Sequence, residues 1–292
     1  MGRITDIGYV RDALPRRKPD SHKGDYGKLL VLGGSRGYSG APYMAAQAAA
    51  RSGAGLVWIG VPSCIYTAVA SKCTDTMPFP LPDDSGQSSW KGGTLTIEAM
   101  EPIKEKIKTA QVFVIGPGLG RTGDTSHIVR SCMKLCTGPV VLDADGINAL
   151  AGHLDDLDSR QGWTILTPHE GEFSRLAGPG KPGCRLKAAR DFAEHHGCVL
   201  VLKGHRTVVA SPDGRFMINT TGNSGLSKGG SGDVLSGIIA AMLCQGAQPF
   251  EAAVMGVWIH GAAADYSASR LDEYSMGPMD VVDDLTSVFR TL

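Results

Sequence analysis

Gly229-Gly230-Ser231-Gly232-Asp233 stands directly ahead of Val234 to Gln245, a stretch whose apolar spacing predicts a helix. Successive backbone N–H groups at a helix N-terminus form a concave anion site, and glycine lets the main chain approach a phosphate closely. Asp233 would then stand beside the bound anion. A carboxylate there is also an ordinary N-cap, although a plain cap does not need three glycines in the four preceding positions. An anion hole with a neighbouring carboxylate suits phosphoryl transfer to a hydroxyl: the amides offset charge on the moving phosphate while the aspartate accepts the proton.

Outward from that loop, short apolar runs alternate with helical patterns, the signature of β-α units and a mostly parallel sheet. Strands are expected at Lys28 to Leu32, Leu56 to Val61, Val112 to Ile115, Val140 to Leu142, Thr164 to Leu166 and Cys198 to Leu202. Helices are expected at Ala41 to Ser52, Ile97 to Lys108 and Arg185 to His196, with two more, Asp233 to Gln245 and Pro249 to Arg270, closing the chain. Ser211-Pro212-Asp213-Gly214 reads as a turn between Thr207 to Ala210 and Arg215 to Ile218, giving one late antiparallel hairpin. Residues 82 to 93, rich in Asp, Ser, Gly and Gln, read as an exposed loop. No composition shift divides the 292 residues, so one domain is expected.

Glycine is abundant, 39 residues, without a triplet period, which excludes collagen and places it in turns and ligand-facing loops. Five loops stand out: Gly33-Gly34-Ser35, Gly116-Pro117-Gly118-Leu119-Gly120, Gly171, Lys203-Gly204-His205, and Gly229 to Asp233. In a parallel sheet the strand carboxyl ends open on one edge, so a single site built from all five is the economical reading. Gly118-x-Gly120-x-x-Gly123 imitates a dinucleotide fingerprint, yet Gly116-Pro117 intervenes where the first glycine should close the strand. No Walker A loop is present. Twenty-nine basic residues balance 29 acidic ones, which removes the footprint of a nucleic-acid binder, and Arg11 to Lys28 reads as a solvated surface. Seven cysteines without a Cys-x-x-Cys pair argue against a disulfide framework or zinc knuckle. With no long apolar window and no signal-peptide pattern, a cytoplasmic protein is expected.

Further motifs join these: His22-Lys23-Gly24-Asp25-Tyr26-Gly27, Asp143-Ala144-Asp145-Gly146-Ile147-Asn148, Leu166-Thr167-Pro168-His169, Lys203-Gly204 with Thr207, and Asn223 to Asp233. Together, from about residue 9 onward, they resemble ADP-dependent NAD(P)H-hydrate dehydratases of the ribokinase-like fold. The resemblance implies a three-layer α/β/α domain over residues 1–292, with residues 1–27 as an extension packed on it. It implies removal of water from the (6S) hydrates of NADH and NADPH, with ADP as donor, AMP and phosphate as products, and Mg²⁺ on the phosphates. Ala41, Gly118 and His169 would contact the hydrated cofactor; Lys203, Gly204, His205, Arg206, Thr207 and Gly232 would hold the nucleotide; Asp233 would touch the substrate and act as base. A homotetramer, and an epimerase as a separate protein, are also implied. No metal ligands are identifiable.

Three positions depart from the family pattern. His205 and Arg206 are large for the middle of the adenylate segment, so contacts there are expected through the backbone. Lys228 stands where a small or hydroxylated residue is expected, and its charge would touch the donor phosphate or face water. Asp143 and Asp145 are read as structural, His260 as a packed helix histidine, and His195-His196 as the wet end of a helix. Two other functions fit the same loops: an ATP-dependent kinase of a vitamin-precursor alcohol, and a nucleotide sensor without turnover, which would need the amides but not the Asp233 carboxylate.

Overall fold

Leu29-Leu30-Val31-Leu32 is apolar at every position, as a strand covered on both faces must be. Its side chains divide accordingly, with Leu29 and Val31 in one buried cluster and Leu30 and Leu32 in another. The same split continues through Val112 and Val114 against Phe113 and Ile115, so the sheet has helices on both sides. The computed structural model describes residues 3–86, 92–178 and 184–292.

The ten strands are β1 (Arg3–Ile4), β2 (Lys28–Leu32), β3 (Leu56–Pro62), β4 (Met77–Leu81), β5 (Val112–Ile115), β6 (Val140–Leu142), β7 (Thr164–Leu166), β8 (Val199–Leu202), β9 (Val208–Ala210) and β10 (Phe216–Ile218). They form one sheet in the order β1-β10-β9-β8-β7-β6-β5-β2-β3-β4. All pairings are parallel except those of β9, which is antiparallel to both β8 and β10. The late hairpin expected from the turn at Pro212-Asp213-Gly214 is β9–β10. One face of the sheet carries the helices Gly40–Arg51, Ser231–Cys244, Pro249–Leu271 and Pro278–Phe289; the other carries Met100–Ile107, Gly123–Leu135 and Arg185–His195. Gly237 permits the closest helix contact of the first group, since a Cβ there would fall 2.0 Å from the Ala45 carbonyl oxygen.

Several expectations need correction. To the packed N-terminal extension the structure adds detail: β1 joins the sheet edge beside β10, and the helix Ile7–Ala13 buries Val10. Met77-Pro78-Phe79-Pro80-Leu81 escapes a strand reading because two prolines lack N–H donors, yet at the sheet edge it pairs only with β3. Pro249–Leu271 does not close the chain; Pro278–Phe289 follows, started by Pro at its first turn and the Asp280 carboxylate on the Gly277 amide. The expected helix from Ile97 opens as a 3₁₀ turn, Ile97–Ala99, before α-helix begins. Of the expected exposed loop 82 to 93, residues 87–91 lie outside the described residues, while Gly92 and Gly93 are buried and Asp83 bridges to Leu95. Cys132 and Cys136 are buried thiols, and every described cysteine is unbridged. Among the described residues, no helix is long and apolar enough to cross a membrane.

The sheet order places the site. From β2 the chain runs outward through β3 and β4, then returns to lay β5 on the other side of β2 and continues to β8. The direction of winding therefore reverses between β2 and β5, where open α/β sheets form a crevice at their carboxyl ends.

Candidate active site

Five parallel strands end in the residues that build this crevice: β2 in Gly33-Gly34, β5 in Gly116, β6 in Asp143, β7 in Thr167-Pro168-His169 and β8 in Lys203-Gly204. At the switch point the Gly34 amide donates to the Pro117 carbonyl (2.7 Å) and the Ser35 hydroxyl to the Gly118 carbonyl (2.8 Å). Gly118, at φ +65°, lies so close to Ala41 that a Cβ on it would be 3.1 Å from the Ala41 Cβ. The dinucleotide-like reading of this loop fails on its donors, because the Gly120 amide is bound to the Asp145 carboxylate (3.0 Å) and so cannot hold a pyrophosphate.

Asp143 is the centre of the cluster. It is 1% exposed and accepts from the Thr167 hydroxyl (2.8 Å) and from the Lys203 ammonium (2.9 Å). Glu172, also buried, lies 3.9 Å from Lys203 and accepts the His169 amide (2.9 Å). Burial alone would lower the Lys203 pKa, but Asp143 and Glu172 more than offset it and hold the ammonium above its ordinary value. Sequence reading treated Asp143 as structural; its structural task here is to orient Lys203.

The helix Ser231–Cys244 points its N-terminus at this charge cluster. Gly230 is the N-cap, in the left-handed conformation, so Asp233 is the third helical residue. Its carboxylate is not the cap, which removes the plainer of its two readings. The Ser231 amide donates to the Lys228 carbonyl and the Val234 amide to the Gly230 carbonyl, while the Gly232 and Asp233 amides have no backbone acceptor among the described residues. A Cβ on Gly232 would sit 3.1 Å from Lys203 Nζ, which places the open amides against the ammonium. Asp233 is held up to a pKa of about 7 by burial first, then by the negative charge of Asp143, with Lys203 pulling the other way.

Beyond the helix start opens a cleft of about 980 Å³. His169, Lys203, Gly204, His205, Arg206, Thr207 and Gly232, expected from sequence, all line it. Ala41 and Gly118 do not, since they meet each other at the switch point, and Asp233 follows the lining residue Gly232 and couples to Lys203 without being part of the lining itself. His169 is the N-cap of Glu170–Ala177: its Nδ1 accepts from the Gly171 amide (3.0 Å), which fixes the orientation of the ring at the mouth of the cleft.

The backbone from 202 to 207 is braced by a residue the sequence reading did not single out. Arg185 donates to the carbonyls of Leu202 (3.3 Å), Lys203 (3.2 Å) and His205 (2.9 Å) and pairs with Glu170 (2.9 Å). Thr207 closes the turn on the Gly204 carbonyl (3.0 Å), and Arg206 takes a positive φ of 58°. The Lys228 ammonium donates to the carbonyls of Tyr274 and Met276, tying the glycine loop to the segment after the long helix, while the residue stays exposed at the lining of the cleft.

This architecture is shared with the ribokinase-like proteins; the ribokinase of Thermotoga maritima superposes with a TM-score of 0.56 at 17% identity, over 89% of this chain and 99% of that one, which speaks for the fold alone. A solved Bacillus subtilis ADP/ATP-dependent NAD(P)H-hydrate dehydratase, co-crystallised with ATP and Mg²⁺, superposes with a TM-score of 0.84 at 32% identity, covering 99% of this chain and 98% of that one. The bifunctional NAD(P)H-hydrate repair enzyme of Moorella thermoacetica is 41% identical over 293 aligned residues, 99% of this chain but 54% of that protein. The ADP-dependent (S)-NAD(P)H-hydrate dehydratase of Neisseria meningitidis serogroup B is 39% identical over 255 residues, 85% of this chain and 80% of that protein. The NAD(P)H-hydrate dehydratase family model matches residues 29–287, and the chain belongs to that family. It spans about half the length of the bifunctional relatives.

Proposed function

We propose that this chain dehydrates the (6S) hydrates of NADH and NADPH at the expense of ADP. The observation that carries the proposal is the Asp233 carboxylate, with a pKa of about 7, beside the open helix amides at the head of a nucleotide-sized cleft. In this reading ADP lies in the cleft against Lys203 to Thr207 and Gly232, with its terminal phosphate on the amides of Gly232 and Asp233. The hydrated nicotinamide ring enters from the switch point, past Ala41 and Gly118, with His169 at its edge.

Asp233 takes the proton of the ring hydroxyl as its oxygen attacks the terminal phosphorus, and AMP leaves. Phosphate then departs with the former hydroxyl oxygen, the neighbouring ring carbon loses a proton, and the double bond returns. Lys203, kept charged by Asp143 and Glu172, offsets charge on the transferring group. Mg²⁺ would screen the phosphate oxygens. Among the described residues no group of three or more ligating side chains converges, so the protein offers no cage, in keeping with an ion carried mainly by the nucleotide.

The same reading includes a homotetramer in the cytoplasm, supplied with the reactive epimer by an epimerase. A non-catalytic sensor fits less well, since it gains nothing from a half-buried carboxylate poised to accept a proton. The test is absorbance at the reduced-nicotinamide band with purified hydrate, Mg²⁺ and either ADP or ATP. Recovery of NADH with ADP supports the proposal; recovery with ATP alone would move the donor assignment, and none with either would overturn the activity.

A further inference from the structure

His260 was expected to be a packed helix residue with no role. It is indeed buried, 7% exposed, on the long helix Pro249–Leu271, but it also lines the cleft, and its Nε2 has no hydrogen-bond partner among the described residues. Buried side-chain nitrogens are nearly always hydrogen-bonded, so one closed off from solvent and left without a partner in the wall of a ligand cleft calls for a partner that arrives with the ligand.

The surroundings of His260 differ from the phosphate end. Val257 and Gly261, on the same face of its helix, together with Leu226 and Leu235, give that part of the lining an apolar character. Gly222 and Gly261 pack backbone against backbone, a Cβ on Gly222 falling 3.3 Å from the Gly261 Cα, so the segment at 222 lies directly on the long helix beside His260. Leu235 follows Ser231 by one helical turn, which sets the apolar end beyond the open amides along the same helix. A mainly apolar stretch of lining with one polar nitrogen suits a heteroaromatic ring. Burial, reinforced by the Lys203 charge, lowers the imidazole pKa to about 4, so the ring is neutral at working pH and carries one donor and one acceptor, as the edge of a nucleobase requires. A phosphate would instead favour the charged form.

We propose that His260 hydrogen-bonds the purine base of the bound nucleotide and so determines its base specificity. The proposal rests on the nucleotide reading of the cleft given above.

The test uses the full chain labelled with ¹⁵N in its histidine rings, with AMP, ADP and inorganic pyrophosphate as probes. The His260 nitrogens are assigned by their loss in His260→Gln. The expected result is a shift of several ppm in a His260 ring nitrogen on adding AMP or ADP, and none on adding pyrophosphate. In calorimetry, His260→Leu should weaken ADP about tenfold, as loss of one buried hydrogen bond does, leave pyrophosphate unchanged, and be largely rescued by His260→Gln. ADP that binds the wild type without moving the His260 signals overturns this proposal alone, and so does a shift of equal size with pyrophosphate. Failure of ADP to bind the wild type at millimolar concentration would instead overturn the nucleotide reading.

Discussion

Replacing Asp233 by asparagine should inactivate the protein and stabilise it at the same time, with the second effect depending on pH in a defined way. In the fold the carboxyl group titrates at about 7 rather than 3.8, because burial and the Asp143 charge disfavour the anion. That difference of roughly three pH units corresponds to about 4 kcal/mol. Folding tightens proton binding at Asp233, so its contribution is fully favourable below pH 4 and is lost progressively as pH rises from there to about 7. Asparagine resembles the protonated form and escapes that loss. The variant and the wild type should therefore melt together near pH 3.5, diverge through pH 5, and differ by on the order of 5–10 °C at pH 8, the asparagine form being the more stable. Turnover should fall by about 10²-fold or more, since the hydroxyl proton has no acceptor, while ADP affinity changes little. In the wild type kcat/KM should rise tenfold per pH unit below about 7 and level off above it. Paired melting curves and initial rates from pH 4 to 8 decide the matter. A melting difference that is constant across that range would refute the burial argument, and near-normal turnover of the variant would refute the role of the base.

Lys203→Met should leave Asp143 buried with, among the described residues, the Thr167 hydroxyl alone for a side-chain partner, costing about 3–5 kcal/mol, which denaturant titration would read directly. Arg185→Ala releases the carbonyls of Leu202, Lys203 and His205 and should raise the KM for ADP about tenfold with a smaller change in kcat; an unchanged KM would show that the segment holds its shape unaided. Gly237→Ala drives a methyl group into the Ala45 carbonyl and should cost about 3 kcal/mol, measured as a fall in melting temperature, while sparing the ADP affinity of what remains folded.

The strands β2, β5, β6 and β7 are legible in the sequence at their observed ends because each is a continuous apolar run covered on both faces. β4 is not, because its prolines are tolerable only at an edge, and edge position is a property of the assembled sheet. The glycine loop and Asp233 could be found locally, since a helix N-terminus is a local object. The Asp143–Lys203 pair joins residues 60 apart and exists only because β6 and β8 end on the same edge of the sheet. Arg185 and Lys228 were out of reach for the same reason: each acts on main-chain carbonyls of a distant segment, and a carbonyl leaves no trace in the amino-acid alphabet. His260 shows the reverse limit, since its apolar neighbours announce burial and conceal the cleft beside it.

β1 lies parallel to β10, which is in turn parallel to β8, so Arg3 enters the sheet from its amino edge and runs toward the edge that carries the cleft. Near the other terminus the Arg11 guanidinium holds the Thr291 carbonyl at 2.7 Å, bringing the first helix against the end of the chain. Any polypeptide joined ahead of residue 3 would thus arrive on the side of the sheet opposite the nucleotide cleft. Whatever meets β1 from that side would leave every loop of this site in place.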